Sequence, residues 1–474
     1  MKRTIPFVLT IAIAFVLMAD EKTSSNWPQF RGENCSGVAS SAKPPAKLGP
    51  GQSEIWSVET PWSPSSPCVW DDRIFLTTYD NGKLETRCYN TADGKVRWSR
   101  DIKPASVEDF HRIDGSPAAS TPATDGKNVV SYFGSFGVIC HDFDGTELWR
   151  TPLPVVLSAG QYGTGTSPII VDGRVIVSRD QFRFSSILAL DLKTGAKLWE
   201  TPRPDSPGSF GTPVLWRNNG VDEIVVAARG RLRGYNAKNG VERWLVEGIT
   251  AFVCTTPVVD DGMLYFAAWS NGAVDSPMPK WEDFLKEYDK NGDGQVTFDE
   301  FDAQSRDYFR GMDVNRDGKL TKEDWDLMNS SKIRCENIMV AVKPGGTGNI
   351  TDTHVAWKFR QGLPYVPSPL EYDGRIYLVK DGGLMTSLNA KTGEAFYVQE
   401  RLGADGSYYA SPVAADGRIY VASVSGKLTV VKAGGDKPQI LHQVDFGDRI
   451  IATPALVGER LYLRTAKKLW AFGE

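Results

Sequence analysis

Two stretches near the middle of the chain have the residue types and spacing of a cation-binding loop. In DKNGDGQVTFDE, residues 289 to 300, Asp289, Asn291 and Asp293 place hard oxygens at positions one, three and five. Gly294 permits the sharp turn at six, Gln295 offers its backbone carbonyl at seven, and Thr297 suits a water-mediated contact at nine. Glu300 closes the set with a two-oxygen carboxylate at twelve. Calcium takes six to eight such oxygens in a flexible shell, which is the chemical reason for this spacing. The second loop, DVNRDGKLTKED, repeats it with Asp313, Asn315, Asp317, Gly318, Lys319 (through its carbonyl), Thr321 and Asp324. Asp324 stands where Glu is usual. Its shorter side chain reaches an ion less easily with both oxygens, so the sequence predicts two calcium sites, the second weaker.

Such loops belong between helices. Trp281, Phe284, Leu285 and Tyr288 follow the i, i+3, i+4, i+7 pattern of an entering helix. Phe301, Tyr308, Phe309 and Met312 mark a helix between the loops, and Trp325 and Met328 begin an exit. Val296, at position eight, fits the short strand that pairs two such loops. The unit resembles compact bacterial EF-hand pairs, and abundant extracellular calcium favours a structural role over a sensing one.

Almost everything around this unit reads as strands. A small residue and proline open a hydrophobic strand in SSPCVWDDRIFL, TSPIIVDGRVIV, TTPVVDDGMLYF and ASPVAADGRIYV, among others. These prolines fall at 67, 122, 168, 213, 257, 369, 412 and 454. A second signature, a turn leading into tryptophan, recurs in NTADGKVRW, DFDGTELW, DLKTGAKLW and NAKNGVERW. A period in the forties with four strands per unit is the mark of a β-propeller blade. The sequence therefore predicts an all-β fold: an eight-bladed propeller of four-stranded antiparallel blades. The last blade runs out of chain, and SEIWSVET near the N-terminus supplies its outer strand and closes the ring. The one long gap, between Pro257 and Pro369, holds the calcium loops between the second and third strands of blade five. The predicted boundaries are a leader at 1–19, an extension at 20–52, the propeller at 53–275 and 333–474, and the EF-hand insertion at 276–332.

The repeats, best seen in ALDLKTGAKLW, resemble those of pyrroloquinoline-quinone-like (PQQ-like) propellers, and NWPQFRGENCSG at 26 to 37 resembles the opening of an exported bacterial subgroup. That family includes quinone dehydrogenases and outer-membrane assembly factors, so the resemblance implies a fold more than an activity. Its dehydrogenases pair the quinone with a calcium ion in the funnel, a catalytic Asp and often a disulfide of adjacent cysteines. This chain has no adjacent cysteine pair; Asp114 or Asp180 could serve as the funnel carboxylate. PQQ is thus an alternative cofactor that the residues do not favour.

Net charge is −4 with no basic run, which argues against a nucleic-acid partner. Lys2 and Arg3 precede an apolar run from Ile5 to Met18, a secretory pattern with cleavage expected after Ala19. Uncleaved, the run would anchor the protein to a membrane. Periplasm or cell envelope is the expected location, and a monomer the expected state. Cys88 and Cys140 occupy the small-residue position that Ala189, Gly234 and Ser387 hold in other repeats, and read as compact hydrophobes. There are four histidines and no GxSxG; His111 alone lies in a loop where chemistry could use it, beside Asp109, Arg112 and Asp114. Trp62, Tyr162, Phe210, Phe252, Tyr365, Tyr408, Tyr409 and Arg449 fall in the segments before the prolines. These segments and the insertion are expected on one face. The expected function is a non-catalytic, calcium-binding scaffold that takes a protein partner or small ligand on that face; the alternative is a PQQ-dependent quinoprotein dehydrogenase.

Overall fold

The computed structural model describes residues 26–473 apart from 159–161, 182–183, 207, 219, 272–278, 302–308, 310–311, 314–316 and 331–334. The expected leader, Tyr308 and Asn315 lie outside the described residues. Eight sheets follow one another around a ring, each four-stranded and antiparallel except that blade four gains a fifth, parallel strand, Gly348–Asn349, at its rim. Blade one shows the unit: Cys68–Trp70, Arg73–Asp80, Lys83–Asn90 and Val96–Ile102 pair in sequence order, from the channel outward. Inner strands are almost wholly buried and rich in Val, Ile and Ala, whereas outer strands alternate, as in Lys197–Pro202. That pattern is dictated by burial on two faces near the axis and on one at the rim.

Ring closure is as the sequence predicts. Glu54–Glu59 pairs antiparallel with Lys468–Phe472, setting Trp56 opposite Ala471, and completes blade eight. Blade five is interrupted between Met263–Ala268 and Ile338–Val342, which nevertheless pair directly. Helices α1 (Trp281–Tyr288) and α2 (Lys322–Ser330) lie in this interruption. Asn337 ties its two feet together: its side chain accepts from Ser270 N at 2.9 Å and donates to Ser270 O at 2.9 Å.

Neighbouring blades are joined through tryptophan. Trp149 of blade two donates its indole N–H to Leu192 O of blade three at 2.9 Å, as Trp98 does to Phe143 O at 2.8 Å and Trp56 to Thr91 O at 2.9 Å. The receiving turn ends in the repeat's glycine. Gly195 has φ +71°, and a Cβ there would lie 2.4 Å from the Trp149 ring. Within each blade the same tryptophan faces the small-residue position: Cys88 opposes Trp98, Cys140 opposes Trp149 and Ala189 opposes Trp199. Cys35, Cys68, Cys88, Cys140 and Cys254 form no disulfide, and burial pushes the Cys88 and Cys140 thiols up to about 12.

Candidate functional site

The small residue before each repeat proline proves to be a hydroxyl. Ser66, Thr121, Ser167, Thr212, Thr256, Ser368, Ser411 and Thr453 form a closed belt around the channel. Each side-chain oxygen accepts the backbone N–H of its counterpart in the preceding blade, at 2.9 to 3.1 Å, and Thr453 N returns to Ser66 Oγ. Sequence reading noted the small residue but not the belt, because the bond joins residues a whole blade apart.

Beside the belt lies a cavity of about 340 Å³ that all eight hydroxyl residues line. Two residues upstream of each belt position comes a second ring: Pro64, Ala119 and Gly165 leave room on one side, while Phe210, Val366, Tyr409 and Ile451 supply bulk on the other, with Cys254 between them. Phe252, Tyr365 and Tyr162 complete an aromatic wall, with Phe210 and Phe252 ring centroids 5.2 Å apart. The space left on the small side is taken by the loop after blade one, which brings in His111 and Asp114. That loop is held at three points. Arg449 pairs with Asp114, Arg449 Nη1 donates to Ile113 O at 2.8 Å, and Glu108 accepts from Thr164 Oγ1 at 2.7 Å. Burial raises the Glu108 carboxyl to about 7 despite the two Thr164 hydrogen bonds. Burial also raises the Cys254 thiol to about 12.

The floor comes from the N-terminal segment. Trp27 exchanges backbone hydrogen bonds of 2.8 Å with Val69, and Pro28 O accepts from Thr124 N at 2.8 Å. Asn34 then bonds both backbone groups of Leu215, Arg31 Nη2 donates to Pro369 O at 2.7 Å, and Gly37 O accepts from Ala414 N at 2.8 Å. Residues 26–39 thus cross the channel and bind blades one, two, four, six and seven, and Phe30 reaches the cavity. The motif NWPQFRGENCSG carries no period that could have foretold this strap.

The sequence-predicted mouth residues separate. Tyr162, Phe210, Phe252, Tyr365 and Tyr409 line the cavity with His111 and Asp114. Trp62 does not, and Tyr408 turns into the protein, where its hydroxyl donates to Ala404 O at 2.7 Å. Asp180 is also apart from the cavity. It is buried against Arg203 at 3.0 Å, and burial pushes its carboxyl up to about 6. His141 packs against Trp98, and burial pulls its imidazole down to about 4.

At the loops, α1 ends where Asp289 N donates to Leu285 O. Asp289 Oδ1 and Oδ2 accept from Gly292 N at 2.7 Å and Gly294 N at 2.9 Å; Asn291 accepts from Asp293 N and Asp293 from Gln295 N. Gly294 and Gly318 have φ of +78° and +81°, as the sixth position requires. Glu300 reaches back to the loop's start, accepting from Lys290 N at 3.0 Å and Asn291 N at 3.3 Å, and also accepts from Thr297 N and Oγ1. Burial raises its carboxyl, but these hydrogen bonds outweigh burial and hold it below the ordinary value. In the second loop Asp313 accepts from Gly318 N, Asp317 from Lys319 N, and Asp324 from Thr321 N and Oγ1. Val296 pairs with Leu320 and Thr297 with Lys319, joining the loops back to back. Beneath them Trp281, Phe284, Phe301, Phe309, Met312 and Trp325 form a separate apolar core. Among the described residues, no three His, Cys, Asp or Glu side chains converge as a metal cluster.

Fold and loops define the class: an eight-bladed propeller of PQQ-like repeats that carries an EF-hand pair. The chain belongs to the family whose model is described as outer membrane protein assembly factor BamB, which matches residues 80–291 and 347–437. An EF-hand model matches residues 282–303 and 306–328. No curated protein matches the sequence. Among solved structures, BamB from Moraxella catarrhalis is similar at 14% identity and a TM-score of 0.55, over 89% of this chain and 99% of that one. Quinohemoprotein alcohol dehydrogenase from Comamonas testosteroni is similar at 11% identity and a TM-score of 0.56, over 96% of this chain and 81% of that one. A europium-containing methanol dehydrogenase follows at 10% identity and a TM-score of 0.53, over 95% and 98%. At these identities the likeness is one of fold. No described helix is long and apolar enough to cross a membrane.

Proposed function

We propose that this is an exported, calcium-binding propeller acting as a non-catalytic scaffold in the periplasm or cell envelope, a monomer that holds a protein partner on its mouth face. The observation that carries the reading is the exposure of large apolar side chains in the loops between strands: Tyr162 in the cavity wall is 48% exposed, Ile113 beside the lining residue Asp114 64%, and Phe184 between the second and third strands of blade three 82%. Exposed side chains of this size suit contact with a partner. Membership of a family described as an assembly factor supports the same reading. The insertion, at 276–332 between the propeller segments 53–275 and 333–474, shares this face: Trp269 at its root meets the cavity residue Tyr365 edge to face at 5.9 Å.

Calcium is the ion that the loops suit. Asp289, Asn291, Asp293, the Gln295 carbonyl and Glu300 are all hard oxygen donors, as are Asp313, Asn315, Asp317, the Lys319 carbonyl and Asp324. Glu300 already lies over the start of its loop. Residues 1–19 would be removed on export.

The quinoprotein reading draws on the dehydrogenases of like fold and on the aromatic cavity, but the residues do not fit it. Asp114 is the single carboxylate among the described lining residues and is neutralised by Arg449, while Asp180 lies elsewhere with Arg203. A calcium ion paired with a quinone would need more oxygen than this.

The test is photocrosslinking in the native envelope from position 184, with position 198 on an outer strand as control. A discrete protein adduct from 184 and none from 198 is expected. Equal or absent adducts would refute the scaffold reading, and calcium-dependent binding of PQQ would replace it with the dehydrogenase.

A further inference from the structure

We propose that the axial cavity binds a small organic anion, an aromatic or apolar body ending in a carboxylate or similar oxyanion, with the charged end on the hydroxyl belt and the body against the aromatic wall. The belt supplies the first reason. A Ser or Thr hydroxyl has one donor and two acceptor sites. Every belt oxygen accepts a backbone N–H, yet none of the eight hydroxyls donates to any protein acceptor among the described residues. Each belt residue is 1 or 2% exposed and lines the cavity. Buried donors of this kind need an acceptor, and here the acceptor has to come from the cavity's contents.

The second reason is charge. Arg31 of the strap, next to the lining residue Phe30, is fully buried behind the belt and bonds Pro369 O and Ser36 O; its Nε and Nη1 have no hydrogen-bond partner, and among the described residues no carboxylate pairs with it. The acidic groups near the cavity are already answered, Asp114 by Arg449 and Glu108 by Thr164. The belt end of the cavity is therefore lined with hydroxyl donors and, among the described residues, has no unanswered carboxylate, which favours an acceptor carrying negative charge, whose hydrogen bonds are the stronger, over a neutral one.

The third reason is shape. Phe210, Phe252, Tyr365 and Tyr409 stand beyond the belt on one side, and Phe30 closes the floor. A cavity of about 340 Å³ is at the small end of the range for ligand pockets, which sets the ligand near one ring and a short acidic arm. Ordered water could satisfy the same hydroxyls, but it would give no preference for charge.

The test uses the whole protein and two probes of equal shape, phenylacetate and its neutral twin phenylacetamide, compared by titration calorimetry. Phenylacetate should bind with a Kd of about 1 mM or tighter and at least tenfold more tightly than the amide, about 1.4 kcal/mol. Phe210→Trp, which fills the cavity, should abolish binding. Equal affinity of the two probes, no binding of either, or unchanged binding in folded F210W would each overturn the proposal. The wild-type comparison stands alone if F210W does not fold. It is also independent of the scaffold reading, whose partner binds outside the cavity.

Discussion

Replacing Gly195 by alanine tests whether the repeat's glycine is a docking site for the tryptophan of the preceding blade, and Gly173 in the same blade provides the matched control. Both have positive φ, +71° and +75°. A Cβ at 173 would meet nothing within 4 Å, whereas one at 195 would lie 2.4 and 2.6 Å from Trp149 ring atoms and 2.9 Å from Thr151 Oγ1. The left-handed backbone costs an alanine roughly 1–2 kcal/mol at either site. At 195 the indole must also move: overpacking costs about 1–3 kcal/mol, and breaking the Trp149 hydrogen bond to Leu192 O adds about 1 kcal/mol. Gly195→Ala should thus lose about 2–4 kcal/mol more than Gly173→Ala, which a shift in the urea midpoint at constant m would register. Shifts that agree to within about 0.5 kcal/mol would refute the docking role and leave backbone conformation as the whole reason for the glycine.

If the loops bind calcium as proposed, Glu300→Gln should weaken binding at the first loop at least tenfold, about 1.4 kcal/mol, while Asp324→Glu should strengthen it at the second; calorimetric titration resolves both. Asp180→Ala leaves Arg203 buried without its carboxylate, a loss of about 3–5 kcal/mol in denaturant unfolding, of which the double variant Asp180→Leu, Arg203→Met should recover most. Burial pushes the Glu108 carboxyl up to about 7 in the folded protein, from an ordinary 4.5. The fold therefore favours its protonated form, and that contribution is complete below about pH 4.5 and lost as pH rises through 7. Glu108→Gln should flatten the fall in unfolding free energy across this window, and an unchanged slope would contradict it.

What the sequence made legible was whatever repeats. A proline every forty-odd residues marks each inner strand, and the turn-to-tryptophan signature marks each outer one, so blade number, ring closure by Trp56 and the interrupted blade could all be read from spacing. The loops could be read because their ligands lie within twelve residues of each other. Contacts between blades were not legible. Ser66 and Thr453 are 387 residues apart in the chain and one hydrogen bond apart in the ring. Tyr408 and Tyr409 looked interchangeable, but alternation along an extended segment sends one hydroxyl to Ala404 and the other ring to the cavity. Asp180 resembled a funnel carboxylate until Arg203, from the end of the same blade, was found to occupy it.

The strap and the belt together give this ring a polarity that the repeats alone do not provide. Eight similar blades would leave a channel open at both ends. Residues 26–39 break the symmetry by binding five of them across one end, which turns the channel into a blind cavity with Phe30 as its floor and Arg31 buried beside the belt. Features with few equivalents among the blades meet the cavity away from that floor: the long loop carrying His111 and Asp114, and Tyr365, which packs on Trp269 at the root of the EF-hand insertion. Inner strands repeat because they must fit a ring. The open face is free of that constraint, so binding residues can accumulate there without disturbing the fold. The insertion follows the same logic, for Met263–Ala268 and Ile338–Val342 pair directly across its feet and its aromatic core is its own.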